Sequence, residues 1–475
     1  MNSITLNISK NSRRVAKLNT LSPIVNGIGL IFVFIISIIT GYASFLVFWL
    51  LLFIGTYLAM AKKSADSMLS FNLFSYTFVF YTLYMGVTTL VLVNNPNTDF
   101  FYAFDSTKFW ARSEGVFTLD EIWHRYSRDA VGFESVGGYR FFYFITLVLS
   151  FLSSLIDSNN LFVQKLAIVF VGALGTSYLF LIMKNYVDKY YAYLAILIFG
   201  IFSHVSTYSV EFLRDTYIYF FYVLGFYLIT VKGSYRSTLW KLFLIAVIVL
   251  FIRPEHGAFF LLFIAAHIYL TRNTNKVVFL LSMLMTPLVL YLSTFLINMS
   301  VETYSTYEGV RQRVGVESDS LAARFANFPF GIKHIILAFL SQTVGIPFWR
   351  YLYYDGTDIA SVAYRSHNGW RFMEAISGTV WMFVWGYILF AARHLKSYMK
   401  YLPKELIALF AVSVLLLLAG TADINVRRIF CVYPIIYVMA VVIRDNLPKN
   451  KRRIIIRNSL FFVVGLYIFY MLIKG

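Results

Sequence analysis

Three short polar constellations interrupt a largely apolar chain, and their residue types are those of proton transfer and phosphate binding. Glu211-Phe-Leu-Arg214-Asp215 sets two carboxylates and a guanidinium within five residues. Arg253-Pro-Glu255-His256 and Asn425-Val-Arg427-Arg428 place further guanidinium groups beside helix-breaking or polar residues. A carboxylate within hydrogen-bond reach of a hydroxyl takes its proton, and a guanidinium grips phosphate oxygens through two parallel N–H bonds. Each constellation also has a plainer reading: a surface salt bridge from Arg214 to a carboxylate, a proline-made helix stop at Pro254, and pairing of the arginines with Asp423. Three charges packed between long apolar runs favour function for the first. Arg427 and Arg428 fall where basic residues are otherwise sparse, which calls for a partner.

The elements that must position these groups are membrane helices. The chain has 475 residues, 59% of them hydrophobic and 13% charged, with a mean hydropathy of +0.70. That composition does not suit a water-facing surface. The apolar residues come in runs of about 15 to 25, the length that an α-helix needs to cross hydrocarbon, so the fold class is an all-α polytopic membrane protein and a β-barrel is excluded. Lys and Arg number 41 against 23 Asp and Glu, giving a formal charge of +18. Cytoplasmic loops that orient the chain in the bilayer account for this excess, and no nucleic-acid partner is expected. The single cysteine, Cys431, excludes internal disulfides and cysteine metal sites, and its apolar surroundings predict a packing role.

Apolar runs near 23–40, 43–61 and 69–93 follow a basic segment with Lys10, Arg13, Arg14 and Lys17, read as a cytoplasmic N-terminal tail. The run 141–156 decides the topology, together with a similar run at 334–347. If both lie on the outer surface, Lys184, Lys189, Lys232, Arg236, Lys241, Arg272 and Lys276 are cytoplasmic; if both span, only Arg214 and Arg253 are. The positive-inside rule selects the first arrangement. Spans then follow near 162–183, 190–207, 213–231, 238–252, 257–271, 276–297, 373–392, 404–421, 429–443 and 457–473, about thirteen in all within one membrane domain, 1–475.

Two long segments, 94–156 and 298–372, become outer loops that carry surface helices. They hold thirteen of the 23 acidic residues, seven at 94–140 and six at 298–372. Long loops beside a common membrane domain are more often functional than idle, so that face is the expected working side. The inner loops are short and lack a glycine-rich phosphate cradle, which favours a lipid-borne substrate over a soluble nucleotide.

The order of these features resembles the GT-C superfamily of polyprenyl-phosphate-dependent glycosyltransferases. The likeness covers roughly residues 94 to 260. Phe104-Asp105-Ser-Thr-Lys108-Phe109-Trp110-Ala-Arg112 is similar to the acidic opening of the superfamily's first outer loop. Gly137-Gly138-Tyr139 and the following apolar run resemble its close, and Glu211 and Asp215 ahead of Tyr217 to Tyr227 resemble its second acidic site. The resemblance implies a GT-C-like bundle in the cytoplasmic membrane of a bacterium. It also implies transfer of a sugar from a polyprenyl-phosphate-linked donor to a glycan, lipid or protein acceptor at the outer face.

On that reading Asp105 is the base and Glu211 or Asp215 orients the acceptor or joins Asp105 in binding a divalent cation, the one cofactor considered. Lys108, Arg112, Arg214, Arg253, Glu255, Arg427 and Arg428 would bind substrate. Trp110, Trp349 and Trp370 would stack on sugar or form the interfacial belt, the belt being favoured. Polysaccharide polymerases of the O-antigen type offer a second enzyme reading, supported by Arg311-Gln-Arg313-Val-Gly315. A transporter of lipid-linked sugars would need charges buried inside helices and paired repeats, and neither is expected from the sequence.

Overall fold

A computed structural model describes residues 2–60, 64–93, 110–132, 140–231, 233–271, 362–420 and 429–474, with isolated positions between 335 and 348 and at 427. All regular structure among these residues is helical. Among the described residues seven helices are long and apolar enough to cross a membrane: α1 (Asn2–Thr40), α2 (Ala43–Met60), α3 (Ala65–Val93), α6 (Leu161–Met183), α10 (Tyr235–Ile252), α12 (Val362–Ala392) and α16 (Lys449–Lys474). The remaining α-helices are α4 (Leu119–Gly132), α5 (Arg140–Ser154), α7 (Lys189–Phe202), α8 (His204–Tyr208), α9 (Asp215–Thr230), α11 (Pro254–Thr271), α13 (Leu395–Tyr398), α14 (Lys404–Gly420) and α15 (Tyr433–Asn446).

The membrane character is written on the outside of the helices. Along α1, Ile24, Ile28, Ile31, Phe34, Ile35 and Ile38 are exposed at helical spacing, and Leu460, Phe461, Val464, Ile468 and Leu472 repeat the pattern on α16. A water-facing helix shows the opposite arrangement, so these stripes are where lipid tails take the place of solvent.

Several expected spans take a different form. The runs 190–207, 213–231 and 429–443 become helices of 14, 16 and 14 residues, about 21 to 24 Å long and short of the ~30 Å hydrocarbon core. The run 404–421 joins the segment Leu395–Tyr401 as a pair bent by 118°. The span expected at 276–297 lies outside the described residues, as does most of 334–347. The basic N-terminal segment, expected as a tail, continues α1 as one helix of 39 residues with Pro23 inside it.

The chain packs as two compact units, residues 1–227 with 346–381 and residues 228–345 with 382–475. In the first unit α1, α2, α3 and α6 form the framework. Gly41, at φ +74°, makes the left-handed turn that reverses α1 into α2. Gly29 admits Val79 and Gly86 admits Phe32, so α1 and α3 run in the same direction at close range. Trp49 stacks on Phe53 and Phe78, and Phe74 continues the aromatic seam onto α3.

Polar contacts set the ends of this framework. Ser44 N donates to Asp157 Oδ2 at 2.7 Å and Asn160 Nδ2 donates to Ser44 Oγ at 2.7 Å. Asn160 also caps α6 by accepting from Val163 N. The start of α6 therefore meets the start of α2. At the opposite end Lys184 Nζ lies 2.9 Å from Asp66 Oδ2 and Lys189 Nζ 3.9 Å from Asp66 Oδ1, so the start of α3 meets the end of α6. The chain thus leaves α3 and enters α6 at one and the same end of the unit.

Between them lies a layer of amphipathic helices. Val116, Ile122, Tyr143 and Leu147 form its core, with Tyr126, Phe144, Val148 and Phe151 packed around them. Where the sequence reads as a polar loop to residue 140, α4 starts with a capping box. Glu121 N donates to Thr118 Oγ1, while Phe117 N and Thr118 N donate to Glu121 Oε2 at 2.6 and 3.1 Å. These two backbone donors hold the exposed Glu121 carboxyl below its usual range.

Because the folded value lies below the unfolded one, the Glu121 contribution is present above about pH 4.5 and fades as the pH falls through the folded value. A nitroxide at Ser127 is accordingly expected to gain mobility on acidification from about pH 5 to about pH 3. In Glu121→Ala it should be mobile at pH 7 already and indifferent to acid. A label equally ordered in both proteins at both pH values would remove the capping box from the stability of α4.

The second unit contains the antiparallel pair α10 and α11, with α14 against α11 and α15 against α14. Met382 packs on Val463 and Tyr467, and Gly386 brings α12 close to Ser459 and Phe462 of α16.

Candidate functional site: a buried charge cluster at the start of α9

The polar pentad lies in the loop that delivers the chain from α8 to α9. Ser203 breaks the helical run by capping α8, with Val205 N donating to its Oγ at 3.3 Å. The chain then turns at Ser209 and Val210 and re-enters helix at Asp215. Close packing against α6 holds this turn. A Cβ at Gly172 would collide with Ser209 and crowd Thr216, and one at Gly175 would collide with Tyr219. Tyr178 then meets Phe220 and Tyr227. Glycines on α6 are needed here because the turn and α9 rest directly on its backbone. The matching order also makes α6 and α9 run in the same direction, with Thr216 against Gly172 at the midpoint of α6.

Glu211 is fully buried, and its Oε2 lies 3.7 Å from Nζ of Lys165, which is equally buried on α6. Asp215 and Arg214 are 2% and 8% exposed. Asp215 opens α9, where the unsatisfied N–H groups and the helix dipole favour a carboxylate. The surface salt bridge envisaged for this motif is therefore replaced by a buried cluster. The sequence reading also missed Lys165. A lysine five residues into an apolar helix usually snorkels to the boundary, and only tertiary packing turned this one inward. Its trace in the sequence is a lone cation within the 161–183 run. The expectation of no buried charge inside a helix is corrected accordingly.

Two neighbouring elements close around the pentad. From the amphipathic layer, Phe142 of α5 packs on Phe212 and Tyr217, both at 5.7 Å. From the first part of α12, Trp370 Nε1 donates to Thr207 O at 3.2 Å. Tyr208 OH donates to Glu374 Oε1 at 2.9 Å, and Glu374 Oε2 pairs with Arg371 at 2.8 Å. Arg371 in turn stands 5.0 Å over the Trp370 ring. Trp370 is buried, with its Nε1 bonded to Thr207 O. Tyr208 and Glu374 were not foreseen; Glu374 is a lone acid within a long apolar stretch.

The other expected residues divide as follows. Arg112 lies in the short helical turn before α4, and its backbone carbonyl accepts from Tyr143 OH at 3.4 Å. Arg253 belongs to the second unit, buried at the break between α10 and α11. Its N–H donates to Val249 O at 2.7 Å and its carbonyl receives His256 N and Gly257 N. Glu255 sits in the first turn of α11. His256 Nδ1 lies 3.7 Å from Cys431 Sγ, which brings the Arg253 break against the segment that follows Arg427. Cys431 is buried in that contact. Asp105, Lys108 and Arg428 lie outside the described residues.

Among the described residues no three His, Cys, Asp or Glu side chains gather as a metal site. An oxygen site for a divalent cation at Asp215 would need Asp105 or another acid from beyond them. Neither a family model, nor a curated protein, nor a solved structure matches the chain.

Proposed function

We propose that the protein is a membrane glycosyltransferase that moves a sugar from a polyprenyl-phosphate-linked donor to a glycan, lipid or protein acceptor at the outer face of the cytoplasmic membrane. The observation that carries this reading is the burial of Glu211, Arg214 and Asp215 together inside a membrane-helix unit, with Phe142 of the amphipathic helix α5 packed on Phe212 and Tyr217. Ionisable groups are costly inside a membrane protein and mark functional sites by default. The finer architecture of the reading is a GT-C-like bundle of about thirteen crossings with its N-terminus inside. It draws support from α6 starting at the end where α3 finishes, and from the cations Lys184 and Lys189 at the opposite end.

In the proposed reaction an acceptor hydroxyl oxygen attacks the anomeric carbon, and the carbon–oxygen bond to phosphate breaks with its electron pair on the phosphate. A carboxylate takes the hydroxyl proton, and a cation takes up the charge developing on the leaving phosphate. Glu211 pairs with Lys165 beside the turn, and Asp215, in the first turn of α9, is the carboxylate assigned to the acceptor. Arg214 is the cation nearest to it in the chain. Asp105 remains the base implied by the family resemblance, and Arg253, Arg427 and Arg428 the further anion-binding candidates.

The buried Lys165–Glu211 pair favours a second reading, a transporter of lipid-linked sugars, because transporters bury such charges along their pathways. One measurement separates the two. Purified protein in detergent, given a polyprenyl-phosphate sugar and a mixture of envelope acceptors, is expected to transfer the sugar without a sealed membrane. Donor movement across sealed vesicles with no transfer in detergent would overturn the enzyme reading.

A further inference from the structure

Where α3 begins, α1, α2 and α3 line a half-open cavity of about 460 Å³. Its lining is mixed in a way that simple packing of lipid-facing helices does not require. Asn19, Asn26 and Asn72 present amides and Ser22 a hydroxyl, while Phe53 and Ile54 supply an apolar side. Neutral amides inside a membrane helix persist where they meet a polar partner. Two of them bond across to α3: Asn72 Nδ2 donates to Asn19 Oδ1 at 3.0 Å, and Ser75 Oγ bonds Asn26 Oδ1. Each of these contacts uses an amide oxygen of α1, so the NH2 groups of Asn19 and Asn26 are the donors on this wall.

Pro23 adds an acceptor. It lines the same cavity and has no N–H, so the backbone carbonyl of Asn19 lacks the donor that a regular helix would supply four residues on. The wall thus offers N–H donors and a carbonyl acceptor within about two turns of α1. Cations surround this end on the flanking helix faces: Arg13, Arg14 and Lys17 are exposed on α1, and Lys184 and Lys189 stand by the start of α3.

From these features we infer that the cavity is a binding site for one anionic glycerophospholipid with a hydroxyl-bearing head group. The head-group hydroxyl donates to the Asn19 carbonyl, the ester and phosphate oxygens accept from the asparagine NH2 groups, and the basic rim balances the charge. The chains leave past Phe53 and Ile54. The volume holds a head group and the first carbons of its chains, not a whole lipid. The inference does not depend on the proposed sugar transfer, since the lining comes from α1, α2 and α3 and includes no residue of the 209–215 turn.

The test uses the full-length protein in nanodiscs of phosphatidylcholine and phosphatidylglycerol at three to one, released into detergent and weighed by native mass spectrometry. One retained phosphatidylglycerol per chain is expected, although it is the minor lipid. Ile54→Trp, which blocks the mouth from an exposed position, should lower that occupancy about ten-fold, and Ser22→Leu should do the same from within. Leu51→Trp, also exposed on α2 but off the cavity, should leave it unchanged. Melting temperatures measured alongside exclude misfolding. Retention of phosphatidylcholine in the bulk ratio, or full phosphatidylglycerol occupancy in Ile54→Trp, overturns the site. Preferential retention of undecaprenyl phosphate, added at equal amount, overturns the choice of lipid.

Discussion

Asp215→Asn is expected to lower sugar transfer by about a hundred-fold or more while the protein elutes and melts as the parent does. The substitution keeps the volume of the side chain and its ability to accept a hydrogen bond at the start of α9, so the helix retains its opening turn. What it removes is the negative charge and the capacity to take a proton. In the first turn of α9 asparagine forgoes only the attraction of a charge to the helix dipole, about 0.3–1 kcal/mol, so a carboxylate with no other role would be replaced with little change in rate. A carboxylate that receives or steers an acceptor hydroxyl cannot be replaced so. The measurement is initial rate against acceptor concentration in detergent. A rate within about five-fold of the parent would confine Asp215 to the stability of α9 and leave the proposed site without its acceptor carboxylate.

The second large effect falls on stability. Lys165→Met leaves the Glu211 carboxylate in the interior without the lysine 3.7 Å away, and removing one partner of a buried pair typically costs about 3–5 kcal/mol. Adding Glu211→Gln to that variant is expected to recover most of the loss, since the double change removes the stranded charge as well as the pair. Thermal or denaturant unfolding in detergent, followed by loss of the monomer on size exclusion, reads both. If Lys165→Met costs under about 1 kcal/mol, the two groups are screened from each other by water and the site is wetter than their burial implies. The double variant then tests function separately. Should it fold but transfer sugar slowly, the pair acts by holding the 209–215 turn against α6. Full activity would confine the pair to stability.

These two experiments divide the pentad according to the local geometry. Glu211 faces α6 and its lysine, whereas Asp215 stands at the first turn of α9, four residues and one change of backbone direction later. The motif by itself treats the two acids alike. The same applies to the layer around it. Thr118-Leu-Asp-Glu121 is a legible capping box, and apolar residues at 119, 122, 123 and 126 follow it at helical spacing, yet the density of charges from 94 to 140 hides α4 among loop residues. The burial of Tyr143 and Leu147 with Val116 and Ile122 then binds α5 to that helix as one amphipathic sheet of side chains.

What the amino-acid sequence decides on its own is the medium. Runs of about twenty apolar residues can satisfy their backbone groups in lipid only as helices, so the all-helical class and the positions of α1, α2, α3, α6, α10, α12 and α16 follow from composition and run length. Tertiary structure alone decides which polar residues are turned inward. Lys165 and Lys184 stand at opposite ends of the same helix, and only the contacts of α6 send one to Glu211 and the other to Asp66. Hydropathy records the cost of a charge in lipid, whereas a buried partner from a distant part of the chain, which removes that cost, leaves no mark in the local sequence.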